Sequence, residues 1–440
     1  MRLRSIVLFC IAMLAIAAMS PAAHAATTPT EAAALAAAAN DHTAYTLPPD
    51  KLAKSEALHR YRVTMTFADP IWGIVSLLLL LQLGMIARIR NVAVNLSKNR
   101  WAQGFTFFFL FLLLTTLFSL PLDLYGQSVS RQYALSVQGW GSWFGDQGKS
   151  FGLALLFGGL GVMLLFLLIQ KFPRRWWLWL WFPTMAFTLL GVFITPYVID
   201  PLFNKFEPLS KTNPALVEQL ERVVAKGDGI QIPPERMFLM KASDKVTTLN
   251  AYVTGFGASK RVVVWDTSIA KGTPDEILFI FGHEMGHYVL GHIVSGILFS
   301  FVVILIEFFA GFHLFQVLLR KFGAKWRISS QNDWGALAIF VLVLSVLGFV
   351  STPIFNSFSR AHEHAADVYG LEVVHGIVEN PQATGQAAFQ LLGENSLSYP
   401  YPSEAYEFWT GSHPPTWLRA AFAKHYDPWA PGEEPKYFKK

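Results

Sequence analysis

The sequence predicts a helical multi-pass membrane protein with a split α+β domain outside the bilayer, and three observations predict it. The 440 residues are 53% hydrophobic and 15% charged, the wrong balance for two or three soluble domains and the right one for a chain largely buried in lipid. Six apolar runs, at 71–87, 105–120, 151–169, 176–198, 293–318 and 334–352, approach the roughly 20 residues that a helix needs to cross a bilayer. Two polar, motif-bearing segments, 199–292 and 353–440, flank the last pair of runs.

Taken in order, residues 1–25 combine Arg2 and Arg4, an apolar stretch at 6–19 and the small-residue site Ala23-His24-Ala25. This pattern predicts a secretory signal peptide: six spans remain if it is removed, seven if it stays as an anchoring helix. The single cysteine, Cys10, lies inside it, so disulfides and thiolate catalysis are excluded for a mature chain beginning near Ala26. Residues 26–70, with scattered Ala, Thr, Pro and charge, read as an N-terminal extramembrane segment, extended or partly helical. Four spans occupy 71–198 and a two-span hairpin occupies 293–352.

Charge orients the spans. Arg88, Arg90, Lys98 and Arg100 follow the first run, Lys171, Arg174 and Arg175 separate the third from the fourth, and Arg320, Lys321, Lys325 and Arg327 separate the last two. By the positive-inside rule these short loops are cytoplasmic. Segments 199–292 and 353–440 then face the opposite side together, as two parts of one domain. The net charge of +5 sits beside the spans, so the basic residues encode topology and no nucleic-acid partner is expected. In the first polar segment, 249–254 and 261–266 are β-rich runs joined by Gly255-Phe256-Gly257-Ala258, a hairpin pattern.

Residues 273–287 carry the chemistry. Thr273 caps a helix, Pro274 suits its first position and Glu276 completes a capping box. Downstream on that helix stand His283-Glu284-Met285-Gly286-His287. Four residues turn a helix by about 400°, so His283 and His287 stack on one face and can share an ion, while Glu284 projects about 100° away. A carboxylate there can take the proton of an attacking water that zinc activates. Two histidines leave a third protein ligand to be found on the same side of the membrane. Asn356, Ser359, Arg360, Glu363 and Asp367 follow i, i+3, i+4, i+7, i+11 spacing on one helical face. Glu363 is the predicted third ligand and Asp367, one turn on, can orient a ligating imidazole. Alone, this segment would read as a solvated charged face; the HExxH upstream favours the ligand. His362 and His364 point to other faces. The site is thus that of a zincin-like domain with one Zn2+.

These residues resemble the integral-membrane CAAX prenyl proteases of type 1, zinc metalloendopeptidases, over about residues 45–424. The resemblance is carried by Asp200-Pro201-Leu202-Phe203-Asn204-Lys205-Phe206, Asn250-Ala251-Tyr252, His283 to His292, Ser359-Arg360-Ala361-His362-Glu363, and His413-Pro414-Pro415 with Arg419. It implies zinc on His283, His287 and Glu363, Glu284 as the base, and Asp367 as a functional acidic residue. It further implies an edge strand at Asn250, Ala251 and Tyr252 on which an extended substrate lies. His413 and Arg419 would flank the cleft, His413 donating to the tetrahedral oxyanion; from the residues alone His413 reads as a turn residue before two prolines. His292 matches the family pattern but, five residues past His287 and off the ligand face, reads as structural. The implied fold is a helical barrel enclosing a wet chamber, which Glu307 and His313 within a span would fit.

The chain departs from the family in two respects. Better-known members expose the zinc to the cytosol or nucleus, whereas the charge pattern here puts it on the other side, the periplasmic face of a bacterial inner membrane. A cleavable-looking N-terminus replaces the family's first helix. The expected activity is therefore endoproteolysis of extended protein segments in envelope processing or quality control. Prenyl-protein cleavage with a cytoplasmic site is the second enzymatic reading, and a metal-containing transporter or scaffold the non-enzymatic one.

Overall fold

The computed structural model describes residues 27–227, 232–255 and 260–439. The predicted signal peptide and the hairpin turn at 256–258 lie outside them. Helices α1 (Pro29–Ala38), α2 (Pro49–Gln82), α3 (Met85–Leu96), α4 (Arg100–Gln132), α5 (Trp140–Lys171) and α6 (Trp176–Phe203) come first. Then follow α7 (Pro214–Lys226), α8 (Asp266–Lys271), α9 (Pro274–Val289), α10 (His292–Trp326), α11 (Ala336–Val374), α12 (Pro381–Ser396), α13 (Glu404–Thr410) and α14 (Thr416–His425). Among the described residues six helices are long and apolar enough to cross a membrane: α2, α4, α5, α6, α10 and α11.

These are the six spans that hydropathy predicts, with different ends. The first helix begins at Pro49, so much of segment 26–70 is already helical. Pro49 and Asp50 form a good first turn, but polar helix carries no hydropathy signal. The same helix stops short of residue 87, because Gly84 takes φ +70° and starts α3 as a separate element. Helix α4 continues to Gln132, past the end of its apolar run.

The spans pack tightly at one end around Leu80, Phe107, Phe166, Trp176, Phe315, Trp326 and Trp334. There the basic loops meet: Arg90 pairs with Asp333 and donates to Arg327 O, Arg100 donates to Asn332 O, and Gln331 donates to Pro173 O. A second core, including Tyr45, Leu220, Val262, Phe279, Met285, Tyr369 and Phe422, fills the extramembrane domain at the other end. Between these two packed ends the spans enclose a chamber. The domain contains a four-stranded sheet of β1 (Phe206–Pro208), β2 (Met237–Met240), β3 (Ala251–Thr254) and β4 (Arg261–Trp265), ordered β1-β2-β4-β3. β2 and β4 are parallel and the outer pairs antiparallel, with Tyr252 opposite Val263. The predicted hairpin is therefore the β3–β4 pair, and β3 is an edge.

Candidate active site

The candidate ligands stand on helices α9 and α11, and glycines let these helices touch. A Cβ on Gly282 would stand 2.7 Å from Val373 Cγ1, and one on Gly370 would stand 3.0 Å from the His283 amide nitrogen. Neither space exists for a larger residue. The N-terminus of α9 is fixed by the expected capping box, with Thr273 Oγ1 accepting from Glu276 N and the Glu276 carboxylate accepting from Thr273 N at 2.7 Å.

That crossing brings His283, His287 and Glu363 together, one donor atom of each lying within 4.8 Å of the others. His283 Nε2 is 3.2 Å from His287 Nε2 and 3.3 Å from Glu363 Oε2, and His287 Nε2 is 3.4 Å from Glu363 Oε1. Ligands about 2.0–2.1 Å from a tetrahedral zinc stand about 3.3 Å apart, so the spacing fits that ion. Glu363 Oε2 is buried without a hydrogen-bond partner, which a cation would supply. Two imidazoles and one carboxylate are also the donor set of a catalytic zinc with its fourth position open.

The predicted helical face of α11 is real and each turn has a task. Asn356 donates to Trp409 O at 2.6 Å and Arg360 to Gly411 O at 2.5 Å, which pins the loop carrying His413. Glu363 faces the ligand pair. Asp367 accepts from His283 Nδ1 at 2.8 Å and takes a bidentate bond from Arg419, Nε to Oδ2 at 2.8 Å and a second guanidinium nitrogen to Oδ1 at 2.6 Å. Arg419 also lies over the Phe389 ring, 4.5 Å from its centroid. His413 Nε2 reaches within 3.3 Å of Glu363 Oε1, its side chain 53% exposed toward the cleft. Its Nδ1 contacts Ser412 Oγ at 2.9 Å, so an accepting Nδ1 leaves the proton on Nε2, the atom that faces Glu363.

Electrostatics suit a cation. Burial disfavours a proton on His283, but Asp367 and Glu363 outweigh it and raise its pKa to about 9. Burial would raise Glu363, yet the adjacent His283 and His287, with the charge of Arg419, hold it well below the usual carboxylate range. Asp367, also buried, is held to about 2 chiefly by Arg419 and His283. Glu284 is pushed upward by burial, with the two histidines partly opposing, the direction expected of a carboxylate that must accept a proton.

Trp265 N donates to Asn250 O while Asn250 N donates to Ser268 Oγ, so the Asn250 carbonyl faces β4. Alternation then directs the amides of Ala251 and Val253 away from β4, at the open edge. His292, read from the sequence as structural, stands outside the His-His-Glu group, but its Nδ1 lies 3.0 Å from His287 Nδ1. Counting along a single helix misses this, because Gly291 at φ +70° separates α9 from α10 and folds His292 back.

Six spans, a split extramembrane domain and a His-His-Glu centre beside a half-buried Glu284 define a membrane-embedded metalloprotease. Residues 34–205 match the family model for the CAAX prenyl protease N-terminal region, five membrane helices, and residues 210–427 match that of peptidase family M48. The chain is 35% identical over 369 residues to an uncharacterized metalloprotease, YhfN, of Bacillus subtilis (strain 168), covering 84% of each. It is 27% identical over 348 residues to CAAX prenyl protease 1 of Saccharomyces cerevisiae, covering 72% of this chain and 74% of that one. The crystal structure of S. mikatae Ste24p superposes with a TM-score of 0.71 at 25% identity, over 93% of this chain and 98% of that one. The chain belongs to peptidase family M48: it is a multi-pass membrane zinc metalloprotease acting on protein or peptide substrates.

Proposed function

We propose that the protein is an endopeptidase of the bacterial inner membrane whose catalytic domain faces the periplasm, where it cleaves extended or misfolded segments in envelope processing or quality control. The observation that carries the chemistry is the convergence of His283, His287 and Glu363 with Glu284 beside them. His283, His287 and Glu363 hold zinc, which when bound supplies Lewis-acid polarisation of the scissile carbonyl and a more acidic water. Glu284 takes that water's proton and passes it to the leaving amine. His413 donates Nε2–H to the oxygen that becomes negative, a role that Ser412 on Nδ1 supports. Asn250, Ala251 and Tyr252 align an extended peptide by strand addition through the Ala251 and Val253 amides. Asp367 and Arg419 hold His283 in its ligating orientation.

Support for the orientation comes from the basic loops, which share the end of the bundle opposite the zinc domain. Support for an extended substrate comes from β3, an edge strand that reads backbone shape without regard to side chain. A reporter enzyme fused after Lys440 that is active only outside the cytoplasm is expected to be active. Activity of a cytoplasm-only reporter at the same point would overturn the topology and favour cleavage of prenylated proteins at a cytoplasmic site.

A further inference from the structure

The two histidine ligands have unlike supports. His283 Nδ1 rests on a carboxylate, Asp367, at 2.8 Å. His287 Nδ1 faces His292 Nδ1 at 3.0 Å. A histidine that ligates through Nε2 as a neutral imidazole carries its proton on Nδ1. His287 Nε2 is the atom that faces His283 and Glu363, so its Nδ1–H is the donor and His292 Nδ1 must accept. That fixes His292 as neutral, with its own proton on Nε2.

The His292 ring is held for this task. It stacks on His362 with centroids 4.1 Å apart and planes 4° from parallel. His362 Nε2 lies 3.4 Å from Ser295 Oγ, and its ring meets Phe358 edge-on at 4.3 Å. Seven residues along α10 and four back along α11, Phe299 and Phe358 repeat the arrangement at 4.0 Å and 2°. Two parallel stacks thus zip the antiparallel helices of the membrane hairpin where they leave the bilayer. The upper stack joins the neighbour of His287 to the residue preceding Glu363, so it ties together the two separate elements that carry ligands.

We infer that His292 is a positioning residue for the metal centre: its Nδ1 accepts the Nδ1–H of His287, fixes that ligand's tautomer and ring plane, and is backed by the His362 ring. A neutral imidazole here does the work more commonly done by a carboxylate or carbonyl. His362 contributes through its stacked ring and does not touch the metal.

This rests on the ligand set proposed above, and the test separates the two. Full-length protein in detergent is compared as His292→Asn, which keeps an acceptor near the Nδ1 position, and His292→Leu, which has nearly the shape of Asn and no acceptor. Zinc affinity is measured by competition with a chromogenic chelator, and folding by thermal unfolding of the zinc-free proteins. His292→Leu is expected to bind zinc roughly 10–100-fold more weakly, with His292→Asn recovering most of the loss and both unfolding alike. His362→Phe, which keeps the stack, is expected to stay within a few-fold of the unsubstituted protein. Equal affinities for the Leu and Asn variants would overturn the role of His292, and a large loss in His362→Phe would overturn that of the stack. Glu363→Gln assayed alongside must lose zinc; if it does not, the ligand set itself is wrong, whatever His292 does.

Discussion

The two sides of the metal centre are built on opposite principles. On the buried side, His283 leans on Asp367, which Arg419 grips with two bonds. Asp367 and Arg419 there are charged, desolvated and paired with each other. On the chamber side, His287 is 22% exposed and leans on His292, which is uncharged and held by ring stacking. A desolvated ion pair is unforgiving when one partner goes, because the other charge is left stranded. A stack of neutral rings can yield without that penalty. The buried side should therefore couple metal binding to folding, and the His292 side should not.

The largest effect should come from the residue common to both sides. Glu363→Gln removes the anionic ligand shared by His283 and His287, and zinc should be absent by metal analysis with cleavage below detection. Asp367→Asn should then separate the halves. It weakens both bonds from Arg419 and leaves that charge only Glu363, at 3.5 Å, so unfolding should show a loss of about 3–5 kcal/mol, together with roughly 10–100-fold weaker zinc binding. If Asp367→Asn unfolds like the unsubstituted protein, the asymmetry is wrong. His413→Ala touches neither support and should keep zinc while losing roughly 10²–10³-fold in kcat; loss of zinc instead would make His413 part of the centre.

The smallest effect concerns the brace behind the buried side. Glu31 in α1 is fully buried and binds His364, the residue after Glu363, at 2.9 Å and Lys436 at 2.9 Å. Burial alone would raise its pKa, but His364 and Lys436 lower it below the ordinary 4.5. A lowered carboxylate contributes stability that is present above its unfolded pKa and lost as pH falls through the folded one. Glu31→Gln should therefore cost about 2 kcal/mol near neutral pH. The Tm gap to the unsubstituted protein should close below pH 4.5, and a gap that widens there would contradict the pairing.

Much of the buried side was legible beforehand. HExxH spacing, the Thr273–Glu276 box and the 356–367 periodicity are local patterns that a helix converts directly into faces, so Glu363 and Asp367 could be named from spacing. The chamber side was not. His292 and His362 meet only because the chain turns at Gly291 and the hairpin returns in register, and neither event has a periodic signature. Nor does the Gly282–Gly370 crossing, since a helical glycine reveals close approach only once its neighbour is known. Strand β1, three residues long, falls below what alternation can detect.

Under the proposed mechanism Glu284 acts on a water at a metal that other residues hold. The most direct measurement combines zinc stoichiometry and cleavage of an unfolded protein substrate on one preparation of Glu284→Gln. One zinc per chain with cleavage reduced by roughly 10²–10⁴-fold or more is the predicted result. Cleavage at the unsubstituted rate with zinc bound would contradict the mechanism, and loss of zinc would make Glu284 a ligand instead of the base.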